Sequence, residues 1–176
     1  MWFQNPGFFS CITVGGNIGS DTEQRTPVDD YRHQFEPLPA ELRYDTAFLD
    51  RIHAYLPGWE IPQISPANYA AGYGFISDYV AEIFRSLRRR NFQTHVAAHV
   101  VFDGWTGRNQ DAVQKTSAGL LKLIYPHRTS EDIEPDELLF CVDLAVEMRR
   151  RVTDQLRVIA PKEFTHTAFK FRLNGR

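Results

Sequence analysis

His95 and His99 stand one helical turn apart in the run His95-Val96-Ala97-Ala98-His99, a spacing that can chelate a metal ion. No nearby acid or cysteine completes a tetrahedral set. The pair therefore reads as solvated or core-edge histidines, and no metal site is expected. Two arginine runs, Arg88-Arg89-Arg90 and Arg149-Arg150-Arg151, read most simply as solvated helix faces. The phosphates of DNA are the other partner such runs could meet. Missing motifs carry more weight. The sequence has no G-x-x-x-x-G-K-[ST] loop, so nothing in it cradles a nucleotide's phosphates with backbone N–H groups. The apolar run Leu138-Leu139-Phe140-Cys141-Val142-Asp143 continues into Leu144 with helical periodicity, which argues against a metal-binding acid at its end. G-x-S-x-G, H-E-x-x-H and C-x-x-C are also absent. A self-sufficient enzyme is not expected.

The elements that carry these residues come from a chain of 176 residues, 43% apolar and 13% aromatic, enough for one folded domain, or one with a small appendage. No apolar run approaches the ~20 residues of a membrane-spanning helix. The start, Met1-Trp2-Phe3-Gln4-Asn5-Pro6, lacks the basic head of a signal peptide. Cys11 and Cys141 form neither a disulfide framework nor a zinc spacing. A soluble cytoplasmic protein without a membrane partner is expected. Charge divides near residue 60, with 4 basic against 9 acidic residues before it and 16 against 13 after it. Neither half is basic enough to demand nucleic acid.

Phe8-Phe9-Ser10-Cys11-Ile12-Thr13-Val14 reads as a strand buried on both faces, closed by Gly15-Gly16-Asn17. Residues 18–44 read as a long loop. A helix follows, capped by Asp45 or Thr46, with Phe48, Leu49, Ile52 and Leu56 at helical spacing until Pro57-Gly58. Trp59-Glu60-Ile61-Pro62 suggests a short edge strand. Ser65-Pro66 opens a longer helical region with the stripe Ile76, Tyr79, Val80, Ile83, Phe84, Leu87. Residues 91–108 are ambiguous. Asn109 can cap a helix carrying Val113, Thr116, Leu120 and Ile124. Pro135 suits the first position of another, with Leu138, Val142, Ala145, Val152 and Leu156 inward. The alternation Phe164 to Phe171 suggests a strand or arm. The fold class is α+β and mostly helical, and a lone buried strand feeding helices looks like part of something larger.

Several stretches are distinctive: Phe35-Glu36-Pro37-Leu38-Pro39, Thr46-Ala47-Phe48-Leu49-Asp50-Arg51-Ile52-His53 and Tyr55-Leu56-Pro57-Gly58-Trp59-Glu60-Ile61-Pro62. Tyr73-Gly74-Phe75, Gly119-Leu120-Leu121-Lys122-Leu123-Ile124-Tyr125-Pro126 and Arg149-Arg150-Arg151-Val152 follow in order. In these motifs the chain resembles the AAA+ portion of the BrxL family, the Lon-like proteins of BREX phage-defence systems. The resemblance runs from Val14 to about Phe171.

The resemblance implies a partial AAA+ module. Residues 1–64 would be the end of the core with its sensor strand, loop and finger helix. Residues 65–160 would form the helical lid, and 161–176 a C-terminal strand or arm. Asn17 would be the sensor that holds the attacking water or contacts the γ-phosphate, because an amide both donates and accepts. Arg51 would be the arginine finger, reaching from one subunit into its neighbour's nucleotide. Lys115 and Lys122 are the candidates for the lid residue that contacts the nucleotide. Intact relatives carry the phosphate loop before the region matched here and a Lon-type protease-like domain after it. ATP and Mg²⁺ belong to the intact family, and none is expected on this chain alone. Its partners would be other AAA+ subunits in a ring, with DNA possible. A fragment inactive alone is the expectation; a stand-alone helical DNA-binding or adaptor module and a gene remnant are the alternatives.

Overall fold

The computed structural model describes residues 31–57, 60, 65–69, 71–166 and 168–174. The expected strand at Phe8–Val14, with Asn17, lies outside them. Helix α1 is one turn, Thr46–Leu49, and Pro66–Asn68 is a short 3₁₀ turn. Helices α2 (Ser77–Arg88) and α3 (Gln93–His99) precede strand β1 (Val100–Phe102). The long helices α4 (Gly107–Ile124) and α5 (Pro135–Ile159) come next, and β2 (Phe171–Leu173) ends the described chain. The described residues thus form a helical α+β arrangement, with a small antiparallel sheet of two strands. Among the described residues no helix is long and apolar enough to cross a membrane.

Helix α5 organises the molecule. Pro135 opens it because a first-turn residue needs no N–H partner, and the Glu134 N–H donates to the Glu137 carboxylate at 2.9 Å. Its 25 residues span about 37 Å at 1.5 Å each. That length serves two cores. Leu138, Cys141, Val142 and Ala145 pack with Val113 and Leu121 of α4 and with Phe92, Val96 and Val100. Further along, Val152 and Leu156 pack with Phe35, Leu38, Leu49, Ile52 and Tyr55. All five residues expected inward on this helix are buried.

The ambiguous residues 91–108 resolve into α3 and β1. Val100, Val101 and Phe102 pair with Leu173, Arg172 and Phe171, so the described strand of the tail is Phe171–Leu173, which shares only Phe171 with the stretch expected to be a strand or arm. The Trp105 indole N–H donates to the Lys170 carbonyl at 2.8 Å and fixes the tail beside the turn at Gly104, whose φ of 74° suits glycine.

Several expectations need correction. The helix near residue 46 is capped by Asp45, which accepts from the Phe48 N–H, but it stops at Leu49 because residues 50–55 are drawn onto α5. The region after Ser65 makes one 3₁₀ turn at Pro66–Asn68 and is α-helical only from Ser77, consistent with the helix cost of Gly72 and Gly74. On α2, only Leu87 is buried; Ile76 just before it is 71% exposed, and Tyr79 and Phe84 also face outward. The cap of α4 is Thr106 rather than Asn109, which is buried inside the first turn. Of the expected strand 59–62 only Glu60 is described, and it sits in a turn, donating to the Pro57 carbonyl.

Candidate functional site

Between the two cores, α5 presents Arg149, which is 0% exposed. It lies on the same stripe as Val142, Ala145, Val152 and Leu156, so the helix has no choice but to bury it. An arginine cannot shed its charge at ordinary pH, so burial requires partners. Arg149 has four acceptors. Its Nε donates to Asn109 Oδ1 at 2.8 Å and its Nη2 to Asp50 Oδ1 at 2.6 Å. Its Nη1 donates to two main-chain carbonyls, Asp50 at 3.1 Å and Ile52 at 2.6 Å. Burial pushes the Arg149 pKa down; the Asp50 charge and hydrogen bond oppose that shift. Asp50 Oδ2 accepts a second arginine, Arg108 Nη1 at 2.5 Å, from the first turn of α4. Arg149 is therefore not a solvated residue of its triplet. Arg150 and Arg151 are nearer that expectation: both pair with Glu147, and Arg151 also reaches Glu60 at 2.8 Å.

This grip sets the segment on which the expected finger sits. Arg51 follows Asp50, is exposed, and rests its guanidinium on the Ala47 carbonyl of its own turn. The Tyr55 N–H donates to the Met148 carbonyl at 3.2 Å, so the whole stretch lies along α5. Next to it, His53 feels burial first and then the charges of Lys115, Asp111 and Arg149. The segment of Arg51 and the middle of α4 are thereby neighbours. Lys115 is bound to Asp111 at 2.6 Å. Lys122, two turns on, is half-buried, and that burial pushes its pKa down. Asn17 lies outside the described residues. Sequence reasoning missed Arg149, Asp50 and Arg108; the phase of Arg149 with Val142 and Val152 was the available signal.

His95 and His99 stack at 4.2 Å, and His99 Nδ1 lies 2.9 Å from the His95 carbonyl. With Asn91, Thr94, Ser130 and Glu131 they line a cavity of about 450 Å³. Its described lining holds no lysine or arginine and does hold a carboxylate, so a nucleotide's triphosphate does not fit its chemistry. Among the described residues no group of three or more metal-ligating side chains converges.

Burial pushes the pKa of His33, His53 and His95 below the ordinary histidine value. His33 lies against the Tyr44 ring, with both nitrogens buried and without a hydrogen-bond partner among the described residues. The unfolded chain takes up these protons near pH 6.5 and the folded chain only at lower pH. Stability is thus full above about pH 6.5 and is lost progressively as pH falls from there through the folded values. Urea midpoints should drop between about pH 7 and pH 5, and His33→Phe should flatten part of that slope. A midpoint constant across this range would contradict the burial of these rings.

The family model described as "Lon-like protease BrxL-like, ATPase domain" matches residues 9–170. A Lon-like protease BrxL from Bacillus cereus (strain H3081.97) is 42% identical over 142 residues, covering 79% of this chain and 20% of the relative. Another, from Escherichia coli O9:H4 (strain HS), is 36% identical over 166 residues, 94% of this chain and 23% of the relative. The chain spans about a fifth of the length of these curated relatives.

Proposed function

The chain belongs to the BrxL-like ATPase-domain family, and from that premise we propose that it is the finger-and-lid part of an AAA+ module serving a BREX phage-defence system. In this reading it works within a ring of AAA+ subunits. Arg51 enters the neighbouring subunit's nucleotide site and offsets charge on the transferred phosphoryl group. The observation that carries the reading is the setting of Arg51: its side chain is exposed while the residues around it are packed on α5. Asn17 is the sensor in this scheme. ATP and Mg²⁺ are bound by the assembly through the phosphate loop of a complete subunit, since this sequence holds no such loop.

Of the two lid lysines, Lys122 is the better nucleotide contact. Its charge is disfavoured by burial and gains more from meeting a phosphate than Lys115, which Asp111 already neutralises. In the assembly, Lys122→Ala should raise the KM for ATP several-fold and Lys115→Ala should leave it nearly unchanged. The reverse order would move the contact to Lys115.

The test of the reading is turnover. The chain alone should hydrolyse no ATP, and mixed with an intact BrxL relative it should change that relative's rate through Arg51. Turnover by the chain alone would remove the reading. Salt-sensitive binding of duplex DNA without any effect on a partner's ATPase would favour the adaptor alternative, for which exposed Arg88 and Arg89 beside exposed Tyr79 and Phe84 are the best argument.

A further inference from the structure

We infer that Arg149 and Arg108 are positioning residues for Arg51, with Asp50 as the part they hold; the inference rests on the finger reading above. The geometry is specific to residue 51. A single guanidinium nitrogen of Arg149 donates to the carbonyls of Asp50 and Ile52, the residues immediately before and after Arg51. The Arg51 N–H donates to the Phe48 carbonyl at 3.0 Å, closing the turn from the other side. The Asp50 carboxylate has each oxygen taken by a different arginine, Arg149 from α5 and Arg108 from α4. Arg149 is held in turn by Asn109 of α4. The two longest described helices thus converge on the backbone of one exposed residue. Its side chain, among the described residues, bonds only to the Ala47 carbonyl of its own turn.

That division suits a residue that must reach a phosphoryl group in another subunit. The side chain exchanges one main-chain acceptor for an anion, and the backbone from which it swings stays fixed. A rigid base limits the positions the guanidinium can sample, and a misplacement of about 1 Å can cost about 100-fold in rate. Ordinary stabilisation of the fold does not require both oxygens of Asp50 to be occupied, because the Arg108 side chain is half-exposed and could be solvated by water.

Arg108→Gln separates positioning from folding, since it leaves every bond of Arg149 in place. The first measurement needs no partner. Hydrogen exchange at the Arg51 and Ile52 amides should be about 10-fold faster in Arg108→Gln, while amides of Val142–Val152 keep their protection. The second uses an intact relative whose own finger arginine is replaced, so that turnover depends on the added chain. Arg108→Gln and Asp50→Asn should each lower kcat about 10-fold or more with KM for ATP unchanged, and neither should lower it further once Arg51 is alanine. Exchange unchanged at Arg51 and Ile52, or a kcat loss that persists in the Arg51→Ala background, overturns the inference. If the wild-type chain restores no turnover, or Arg51→Ala restores it equally, the finger reading has failed and the positioning role falls with it. Full turnover with Arg108→Gln and none with Arg51→Ala overturns positioning alone.

Discussion

Asp50→Ala is expected to lower the unfolding free energy by about 3–5 kcal/mol, the usual cost of stranding one member of a buried ion pair. In a chain of this size that corresponds to a fall in Tm of roughly 10–15 °C. The large value follows from who is left behind. Arg149 has no exposed surface and cannot neutralise itself, so losing the Asp50 carboxylate leaves its Nη2 facing protein. The remaining bonds, to Asn109 and to two carbonyls, satisfy hydrogen-bonding but carry no negative charge. Arg149→Met should cost less, because Asp50 keeps Arg108 and, at 13% side-chain exposure, has a path to water. Combining the two should recover part of the Asp50→Ala loss, as expected when a charge pair is replaced by apolar volume. Urea unfolding of the four proteins completes the cycle. An Asp50→Ala protein within about 1 kcal/mol of wild type would mean that the Arg149 charge is hydrated, contrary to its burial.

The same arginine marks where sequence reasoning stops. Helix α5 is legible because its signals are local: Pro135 at the first turn, a stripe in phase from Leu138 to Leu156, Pro161 just beyond the end. Helices α4 and α2 are legible for the same reason, although Thr106 takes the cap expected at Asn109 and Gly72 and Gly74 precede a later start for α2. Arg149 is in phase with that stripe too, but it stands in a triplet whose other members are paired with Glu147 near the surface, and the triplet reads as one solvated face. What decides its fate is distant. Its partners are 40 residues away at Asn109 and 99 at Asp50, and no local pattern encodes such contacts. The helix expected to run to Leu56 fails by the same cause. Phe48, Leu49, Ile52 and Leu56 have helical spacing, yet the carbonyls of Asp50 and Ile52 bond to Arg149, and Ile52 and Tyr55 reach the second core from a segment without regular secondary structure. Tertiary bonds outweigh propensity there, since one helical turn is weakly stable by itself. The exposed apolar side chains in and just before α2, Phe75 at 77% among them, are equally unreadable, because periodicity reports that a stripe exists and not what covers it.

Removing the guanidinium of Arg51 should have the largest functional effect. In an assembly where the partner's own finger is replaced, the wild-type chain should restore ATP turnover and Arg51→Ala should not, a difference of about 10³-fold or more in kcat. The magnitude comes from where the charge acts. A finger supplied from another subunit meets negative charge that grows only in the transition state, so its loss appears in kcat rather than in nucleotide affinity. Arg51→Lys should recover little, because an ammonium offers one point charge where the planar fork offers two directed donors. Stability should hardly change in either variant. Arg51 is exposed and, among the described residues, its guanidinium bonds only to the Ala47 carbonyl, so its removal leaves no buried charge unpaired. The contrast with Asp50 one position earlier is the strength of the pair of experiments. Asp50→Ala should unfold the chain more easily, and Arg51→Ala should leave melting intact while abolishing turnover of the assembly. Restoration of turnover by Arg51→Ala at the wild-type level would transfer the finger to another arginine; the exposed Arg88 and Arg89 at the end of α2 would then be the next to replace.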